Sequence, residues 1–347
     1  MSDFVRGADM SQLPQLEHEG TRYSLAGKEM DCLEILRQQG INAVRIKVWN
    51  DPGNPDFFPA NQSDWLAFNS PEQVIKLAQR ASALGFRIMI DFHYSDWWAD
   101  PQKQFMPHAW QGLPLEAVAE QLSLFTLDVL QRLRDAGVTV EWVQIGNEIT
   151  HGMLWPMAFV PGNWPALAQL LIAGATAVRT FDPNCRIVLH LDAGADHEFY
   201  RCWFNEAIAR KVPFDVIGLS FYPCWHGSLT LLSDNLNALA HCYGKSLIVV
   251  ETAYPRVLDP NKNQHWLIQH CGSEPFPATE VGQAQYLQAL SRSVRSVAGG
   301  LGAGGFYWEP AMIPSPMCRE QHSVWENVTL FDEHGAALSS LAAFGCS

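Results

Sequence analysis

Residues 70–96 read SPEQVIKLAQRASALGFRIMIDFHYSD, and this stretch holds one complete unit of the fold. Ser70 stands where a helix cap belongs, Pro71 takes the first helical position, and Gln73 can reach back to close a capping box. Val74, Ile75, Leu77, Ala78 and Ala81 follow at helical spacing. Gly85 can end the helix in the left-handed conformation that glycine adopts without steric cost. Phe86-Arg87-Ile88-Met89-Ile90 starts at once as a nearly continuous apolar run, the pattern of a parallel strand buried on both faces. The run then turns polar at Asp91-Phe92-His93-Tyr94-Ser95-Asp96.

Outward from this unit the same alternation recurs. Apolar runs begin near Phe4, Ile41, Phe86, Val140, Cys185, Phe214, Leu247 and Gly302, which makes eight. Met30, Leu33 and Leu36, closing at Gly40, predict a helix before the second run. Leu115 to Gly137, Pro165 to Phe181 and Gly282 to Ala298 predict helices between later runs, and Ala336 to Phe344 a closing one. Gly302-Ala303-Gly304-Gly305 is expected to be a loop entering the last strand, because a phosphate loop would need a helix directly after it. Eight strands alternating with helices over 347 residues predict an α/β fold, a (β/α)8 TIM barrel spanning 1–347 as a single domain, rather than a doubly wound sheet.

Composition excludes several classes. Lys and Arg number 23 against 36 Asp and Glu, and a net charge of −13 repels phosphate backbones and anionic lipids. No nucleic-acid or membrane partner is therefore expected, whereas a neutral polysaccharide is compatible. No run of ~18 apolar residues is present to span a bilayer. The N-terminus, MSDFVRGADMS, has neither a basic segment nor an apolar core, so a secreted or periplasmic location would require an export signal already removed; otherwise the protein stays in the cytoplasm. Cys32, Cys185, Cys202, Cys224, Cys242, Cys271, Cys318 and Cys346 form no C-x-x-C pair, which argues against a zinc or thioredoxin-type site, and most of them are expected to be free, buried thiols. The 13 tryptophans fit either a core or flat platforms for sugar rings, and position must decide.

In such barrels catalytic groups sit at the C-terminal ends of strands, and the chemically suggestive residues stand there. Strand two ends Arg45-Ile46-Lys47-Val48-Trp49-Asn50, and strand three ends at His93 and Asp96. Strand four ends Asn147-Glu148, strand six Ser220-Phe221-Tyr222, strand seven Glu251, and strand eight Phe306-Tyr307-Trp308-Glu309. Glu148 and Glu251 follow apolar strands, which places two partly desolvated carboxyls at one barrel mouth. Taken singly, each could be a helix-capping or ion-paired acid. Glycoside hydrolysis needs such a pair, one protonated and one ionised, and a separation of ~5–5.5 Å gives retention through a covalent intermediate. Arg45 can keep the ionised member charged, Tyr222 can donate a hydrogen bond to it, and Asn147 is placed to bind a sugar hydroxyl. His93, Asp96, Trp98 and Trp308 are expected to line the substrate, with Trp308 flooring the subsite of the sugar being cleaved. His265 and His270 read as surface residues. Asn61-Gln62-Ser63 and Asn327-Val328-Thr329 match the glycosylation sequon, a pattern common by chance.

Asn147-Glu148 ending strand four and Glu251 ending strand seven resemble the signature of the retaining-glycosidase clan of TIM barrels. More narrowly, the chain resembles glycoside hydrolase family 53, the endo-β-1,4-galactanases. The matching segments are Arg6 to Ser11, Gly40 to Arg45, Asp91 to Pro101, Gln144 to Thr150, Gly152 to Pro156, Ser220 to Pro223, Val249 to Pro255 and Tyr307 to Ala311. The resemblance implies that Glu148 is acid/base and Glu251 nucleophile in the hydrolysis of internal β-1,4-galactosyl links of galactan and type I arabinogalactan, the side chains of pectin. It also implies a monomer without organic cofactor. Family calcium sites lie around the loops after strands seven and eight, which here read Arg256 to Thr279 and Met312 to Asn327 and lack compact Asp/Asn spacing, so no metal is expected. Other clan activities, such as mannanase or cellulase, share both glutamates, and a catalytically inactive carbohydrate-binding barrel is the alternative from another class.

Overall fold

The computed structural model describes residues 4–54, 56, 66–259, 261, 265–316 and 323–345. Eight strands form the barrel: β1 (Val5–Asp9), β2 (Ala43–Val48), β3 (Arg87–Phe92), β4 (Val140–Ile145), β5 (Arg186–Leu191), β6 (Val216–Ser220), β7 (Ser246–Thr252) and β8 (Gly302–Tyr307). Each pairs in parallel with its sequence neighbours, and β1 closes the circle against β8. The expected α/β barrel is present, with each apolar run on a strand. Helices Cys32–Gln38, Pro71–Ala83, Leu115–Asp135, Trp164–Phe181, His197–Ala209, Leu229–Tyr243 and Glu280–Arg295 separate the strands. Among the described residues no helix is long and apolar enough to cross a membrane.

Side-chain alternation divides the interior into two storeys. Val5, Ala43, Met89, Trp142, Val188, Val216, Ile248, Val250 and Phe306 form an apolar plug at the lower end. Intervening residues such as Ile88, Val143 and Leu189 face outward into the helix layer. One step further along the strands, inward positions become Asp9, Arg45, Asp91, Gln144, His190 and Ser220, all buried. The barrel is thus a packed floor beneath a polar chamber. Gly7 is needed in the floor, because a Cβ there would lie 2.2 Å from Cδ1 of Phe306.

Several details differ from the sequence reading. Ser70 precedes helix Pro71–Ala83 but makes no side-chain capping bond; its hydroxyl pairs with Glu72 instead. Gly302 to Gly305 belong to β8 itself, where side chains would not fit: a Cβ on Gly302 would meet the Val294 carbonyl at 1.8 Å, and one on Gly304 the Val5 carbonyl at 2.1 Å. The closing helix is a 3-10 turn over Ser339–Phe344, since the Ala336 amide is taken by Asp332 and the Ala337 amide by the Ser24 carbonyl. Met30 ends a hairpin, Tyr23–Leu25 with Lys28–Met30. Six cysteines are free, but only Cys32 and Cys185 are buried, whereas Cys202 and Cys242 are exposed. Cys318 and Cys346 lie outside the described residues, as does the sequon at Asn61. Asn327 is fully buried and donates to the Ile268 carbonyl, so that sequon is inaccessible. His265 and His270 are exposed.

Candidate active site

The two glutamates reach the chamber by different backbone devices. Ile248 and Val250 point into the barrel, so strict alternation would put Glu251 outside. The register of β7 against β8 shifts between Val249 and Thr252, and against β6 between Leu219 and Ser220. This irregularity adds a residue, so Glu251 stays inside and Thr252 turns outward to Tyr286, 2.6 Å away. Glu148 follows Gly146 and Asn147, and two left-handed residues, Gly146 (φ 80°) and Glu148 (φ 46°), swing it back over the mouth. Left-handed backbone at a non-glycine residue costs of order 1–3 kcal/mol and clusters at functional sites. Tyr94, Ala193 and Glu309 adopt it just beyond β3, β5 and β8.

Arg45 is the hub below the mouth, with no exposed surface. It donates to Asp9 Oδ2 at 2.7 Å, to Asp91 Oδ2 and Asn147 Oδ1 at 2.8 Å each, and to Gln144 Oε1 at 3.2 Å. Its Nη1 also lies 3.0 Å from Glu251 Oε1, but without hydrogen-bond alignment, so that oxygen is buried and keeps its lone pairs unengaged. Burial opposes the guanidinium charge, but Asp91, Glu251 and Asp9 outweigh it and raise the Arg45 pKa. Arg45 favours the charge of Glu251, but the carboxyl as a whole lies above its ordinary range. Burial pushes the Glu251 carboxyl up, Arg45 pulls it down, Asp9 and Asp91 push it up again, Tyr222 pulls it down, and it settles at about 7. Tyr222 donates to Glu251 Oε2 at 3.2 Å.

Glu148 is raised well above the ordinary carboxyl range, first by burial, then by the negative charges of Glu251 and Asp192. Its Oε1 is 2.6 Å from Ser220 Oγ. Ser220 Oγ is 2.8 Å from His190 Nε2, and His190 Nδ1 is 2.9 Å from Asn147 Oδ1. The sequence reading missed His190; its signal was one polar residue inside the apolar run Arg186-Ile187-Val188-Leu189-His190-Leu191.

The remaining expected residues divide into two groups. Asn147 is locked: its Oδ1 accepts from Arg45 and from Gln144 (3.1 Å), and its Nδ2 donates to the Ala99 carbonyl at 2.9 Å. His93 is buried with both nitrogens occupied, Nδ1 accepting from Trp49 and the Ala99 amide and Nε2 facing Asp91. Asp96 is likewise engaged through both oxygens, with the Asp51 amide and with the amide and ring of His108. His93 and Asp96 therefore hold loops and partners around the mouth. Trp98 and Trp308 meet edge to face at 6.0 Å, with Lys47 Nζ 4.2 Å and 5.4 Å from their ring centroids. Lys47 and Glu309 form a buried pair at 3.2 Å, and burial raises the Glu309 carboxyl to about 8 against the pull of Lys47. Trp308 Nε1 is buried and lacks a partner. Trp325 continues the wall at 6.0 Å from Trp308 and 5.9 Å from Tyr222.

A cavity of about 960 Å3 lies between the loops after β3 and β4, lined by Trp97, Phe105, Met106, Trp155 and Met157 among others. Neither Glu148 nor Glu251 lines it. Among the described residues no cluster of three or more His, Cys, Asp or Glu side chains could hold a metal ion.

Residues 5–344 match the model for glycosyl hydrolase family 53. The arabinogalactan endo-beta-1,4-galactanase of Humicola insolens is 36% identical, over 98% of this chain and 98% of that protein. The endo-beta-1,4-galactanase of Bacillus subtilis (strain 168) is 34% identical, over 97% of this chain and 76% of that one. Among solved structures, the GH53 catalytic domain of Ignisphaera aggregans superposes with a TM-score of 0.89 at 36% identity, covering 99% of this chain and 95% of that chain.

Proposed function

The chain belongs to glycosyl hydrolase family 53, and we propose from that premise that Glu251 and Glu148 carry out its hydrolysis by double displacement. It is a glycoside hydrolase that cleaves internal β-1,4-galactosidic bonds of galactan and type I arabinogalactan, the activity for which its relatives are named. In the first step a Glu251 oxygen attacks the anomeric carbon, the glycosidic C–O bond breaks, and Glu148 gives its proton to the departing oxygen. In the second step Glu148 takes a proton from water, the hydroxide attacks the same carbon, and Glu251 leaves as carboxylate.

The observation that carries this assignment is the unequal setting of two carboxyls, Glu251 buried and Glu148 half-buried. Glu251 faces Arg45 and the Tyr222 hydroxyl, both favouring its charge, and lies at about 7. Glu148 faces Glu251 and Asp192, and is pushed well above the ordinary range. Of the pair, Glu251 ionises first, which suits a nucleophile, and Glu148 retains its proton, which suits an acid. Arg45 and Asn147 orient these groups from below, and Trp98 and Trp308 offer flat faces to the sugar. We assign His93 and Asp96 to positioning the mouth. The enzyme would act as a monomer, need no metal, and meet its polymeric substrate outside the cytoplasm, in a secreted or periplasmic form.

Azide tests the assignment. Glu251→Gly with an activated aryl galactoside should yield the α-galactosyl azide, and Glu148→Ala the β-galactosyl azide. The opposite pairing would reverse the two roles, and activity surviving both substitutions would end the reading. A chelator should leave the rate unchanged; a rate lost to chelator and restored by calcium would contradict the metal-free part.

A further inference from the structure

The chain of contacts from Asn147 through His190 and Ser220 to Glu148 fixes where protons sit. Asn147 cannot be turned over: its Oδ1 receives Arg45 Nη2 at 2.8 Å, and its Nδ2 donates to the Ala99 carbonyl at 2.9 Å. An amide oxygen only accepts, so His190 Nδ1, 2.9 Å from it, must carry a hydrogen. The His190 ring is completely buried, and burial together with the charge of Arg45 keeps it neutral. A neutral ring with Nδ1–H has a bare lone pair on Nε2. The group facing that lone pair is Ser220 Oγ at 2.8 Å, so the serine hydrogen is directed there. Ser220 then has no hydrogen left for Glu148 Oε1 at 2.6 Å and meets it with a lone pair. The contact closes only if the carboxyl supplies the proton. The Glu148 amide also approaches His190 Nδ1, but at 3.4 Å; favouring it would set two lone pairs face to face across the shorter 2.9 Å contact.

We propose that His190 and Ser220 are positioning residues that hold Glu148 in its proton-bearing form by presenting it with an acceptor and withholding a donor. The proposal rests on the acid/base reading of Glu148 and deepens it. The same arrangement serves both halves of the reaction. Before attack, the neutral carboxyl donates to Ser220 and waits protonated; once that proton passes to the leaving oxygen, the carboxylate faces a serine lone pair. An anion denied a donor is a stronger base, which favours removal of a proton from the incoming water and restores the starting state. Other ionisable groups face this chain: Glu251, Asp192 and Asp100 act on Glu148, Tyr200 and Tyr222 lie beside it, and Arg45 and His93 act on His190.

Two measurements test this. In the unaltered protein, long-range 15N–1H correlation, with His190 assigned by its loss in His190→Gln, should show the neutral Nδ1–H tautomer from about pH 5 to pH 8. An Nε2–H tautomer or an imidazolium would overturn the proposal, and this readout requires no variant to be active. Second, His190→Phe frees the Ser220 hydroxyl to turn and donate to Glu148. The basic limb of kcat/KM should then fall by about one to two pH units, the size of one hydrogen bond to a charged group reversed. His190→Gln can donate to Asn147 and accept from Ser220, and should restore the limb. A basic limb unmoved in the Phe variant would overturn the proposal. The azide product of Glu148→Ala separately decides whether Glu148 is the acid at all, so the two failures are distinguishable.

Discussion

Replacing Tyr222 with Phe removes one hydroxyl and keeps a ring that packs 5.0 Å from Trp225 and 5.9 Å from Trp325. The hydroxyl donates to Glu251 Oε2 at 3.2 Å, a bond that strengthens when the carboxyl is ionised. A hydrogen bond to a charged group contributes about 1.5–3 kcal/mol, and about 1.4 kcal/mol corresponds to one pH unit. At 3.2 Å the bond is at the long end of its range, so we take the lower figure, about one unit. Glu251 ionises at about 7 in the intact protein, and would ionise about one unit higher in the variant. The ionised fraction should then fall about tenfold at pH 6 and about fivefold at pH 7, and hardly at all by about pH 9. Initial rates of reducing-end release from linear galactan, measured across that range, give kcat/KM for both proteins. The acidic limb should move up by about one pH unit while the two curves converge on the alkaline side. An acidic limb that stays in place, or a uniform loss at every pH, would refute the idea that the hydroxyl acts through the ionisation of Glu251.

Two further substitutions probe the frame around the site. Lys47→Met leaves Glu309 buried without its counter-charge, which costs about 3–5 kcal/mol for a typical broken pair. A smaller loss is expected here, because Glu309, already raised to about 8, carries its proton most of the time at neutral pH and loses a hydrogen-bond partner more than a counter-charge. The urea unfolding midpoint should drop and recover in Lys47→Met/Glu309→Leu; an unchanged midpoint in the single variant would show that the pair holds nothing. Gly7→Ala places a methyl 2.2 Å from the Phe306 ring, and should destabilise by about 1–3 kcal/mol or more. Adding Phe306→Leu should return part of that loss in a thermal melt, and a Gly7→Ala protein as stable as the parent would contradict the tight floor.

Much of the fold was legible because parallel strands buried on both faces cannot hide their composition. Every apolar run, from Phe4 to Gly302, marked a strand of the barrel, and Gly40, Gly85 and Gly137 marked helix ends at positive φ. What the sequence left hidden follows from interactions without a local signature. The strand through Gly302 and Gly304 looked like a loop because its glycines answer to Val294 and Val5, remote in sequence. Ser70 had the right spacing for a cap, but Glu72 competed for its hydroxyl. Within the site, Glu148 and Glu251 could be read from their place after apolar strands. Their unequal environments could not, because His190 and Asp192 at the end of β5 and Ser220 at the end of β6 reach Glu148 from two other segments of the chain. His93 and Asp96 stood where substrate contacts are found, and the sequence could not show that Trp49, Asp91, Asp51 and His108 engage their polar atoms, since those partners lie elsewhere around the mouth.

Two carboxyls of one chemical kind must differ in proton affinity for double displacement to run, and the backbone supplies that difference before any substrate arrives. The irregularity in β7 keeps Glu251 inside the barrel, in reach of Arg45 on β2 and Tyr222 beyond β6. Had β7 kept strict alternation, the side chain at this position would point with Val249 toward the helices and away from Arg45 at the centre of the chamber. The left-handed turn at Gly146 and Glu148 performs the opposite service. It lifts Glu148 past Arg45, whose donors are spent on Asp9, Asp91, Asn147 and Gln144, and sets it against Ser220 and the charge of Asp192. A normal right-handed or extended residue at position 148 would send the carboxyl elsewhere, so the left-handed backbone is a cost of about 1–3 kcal/mol that the packed floor can bear. In the mechanism proposed, the acid and the nucleophile are therefore distinguished less by their own chemistry than by where two local breaks in strand geometry deliver them relative to the buried Arg45.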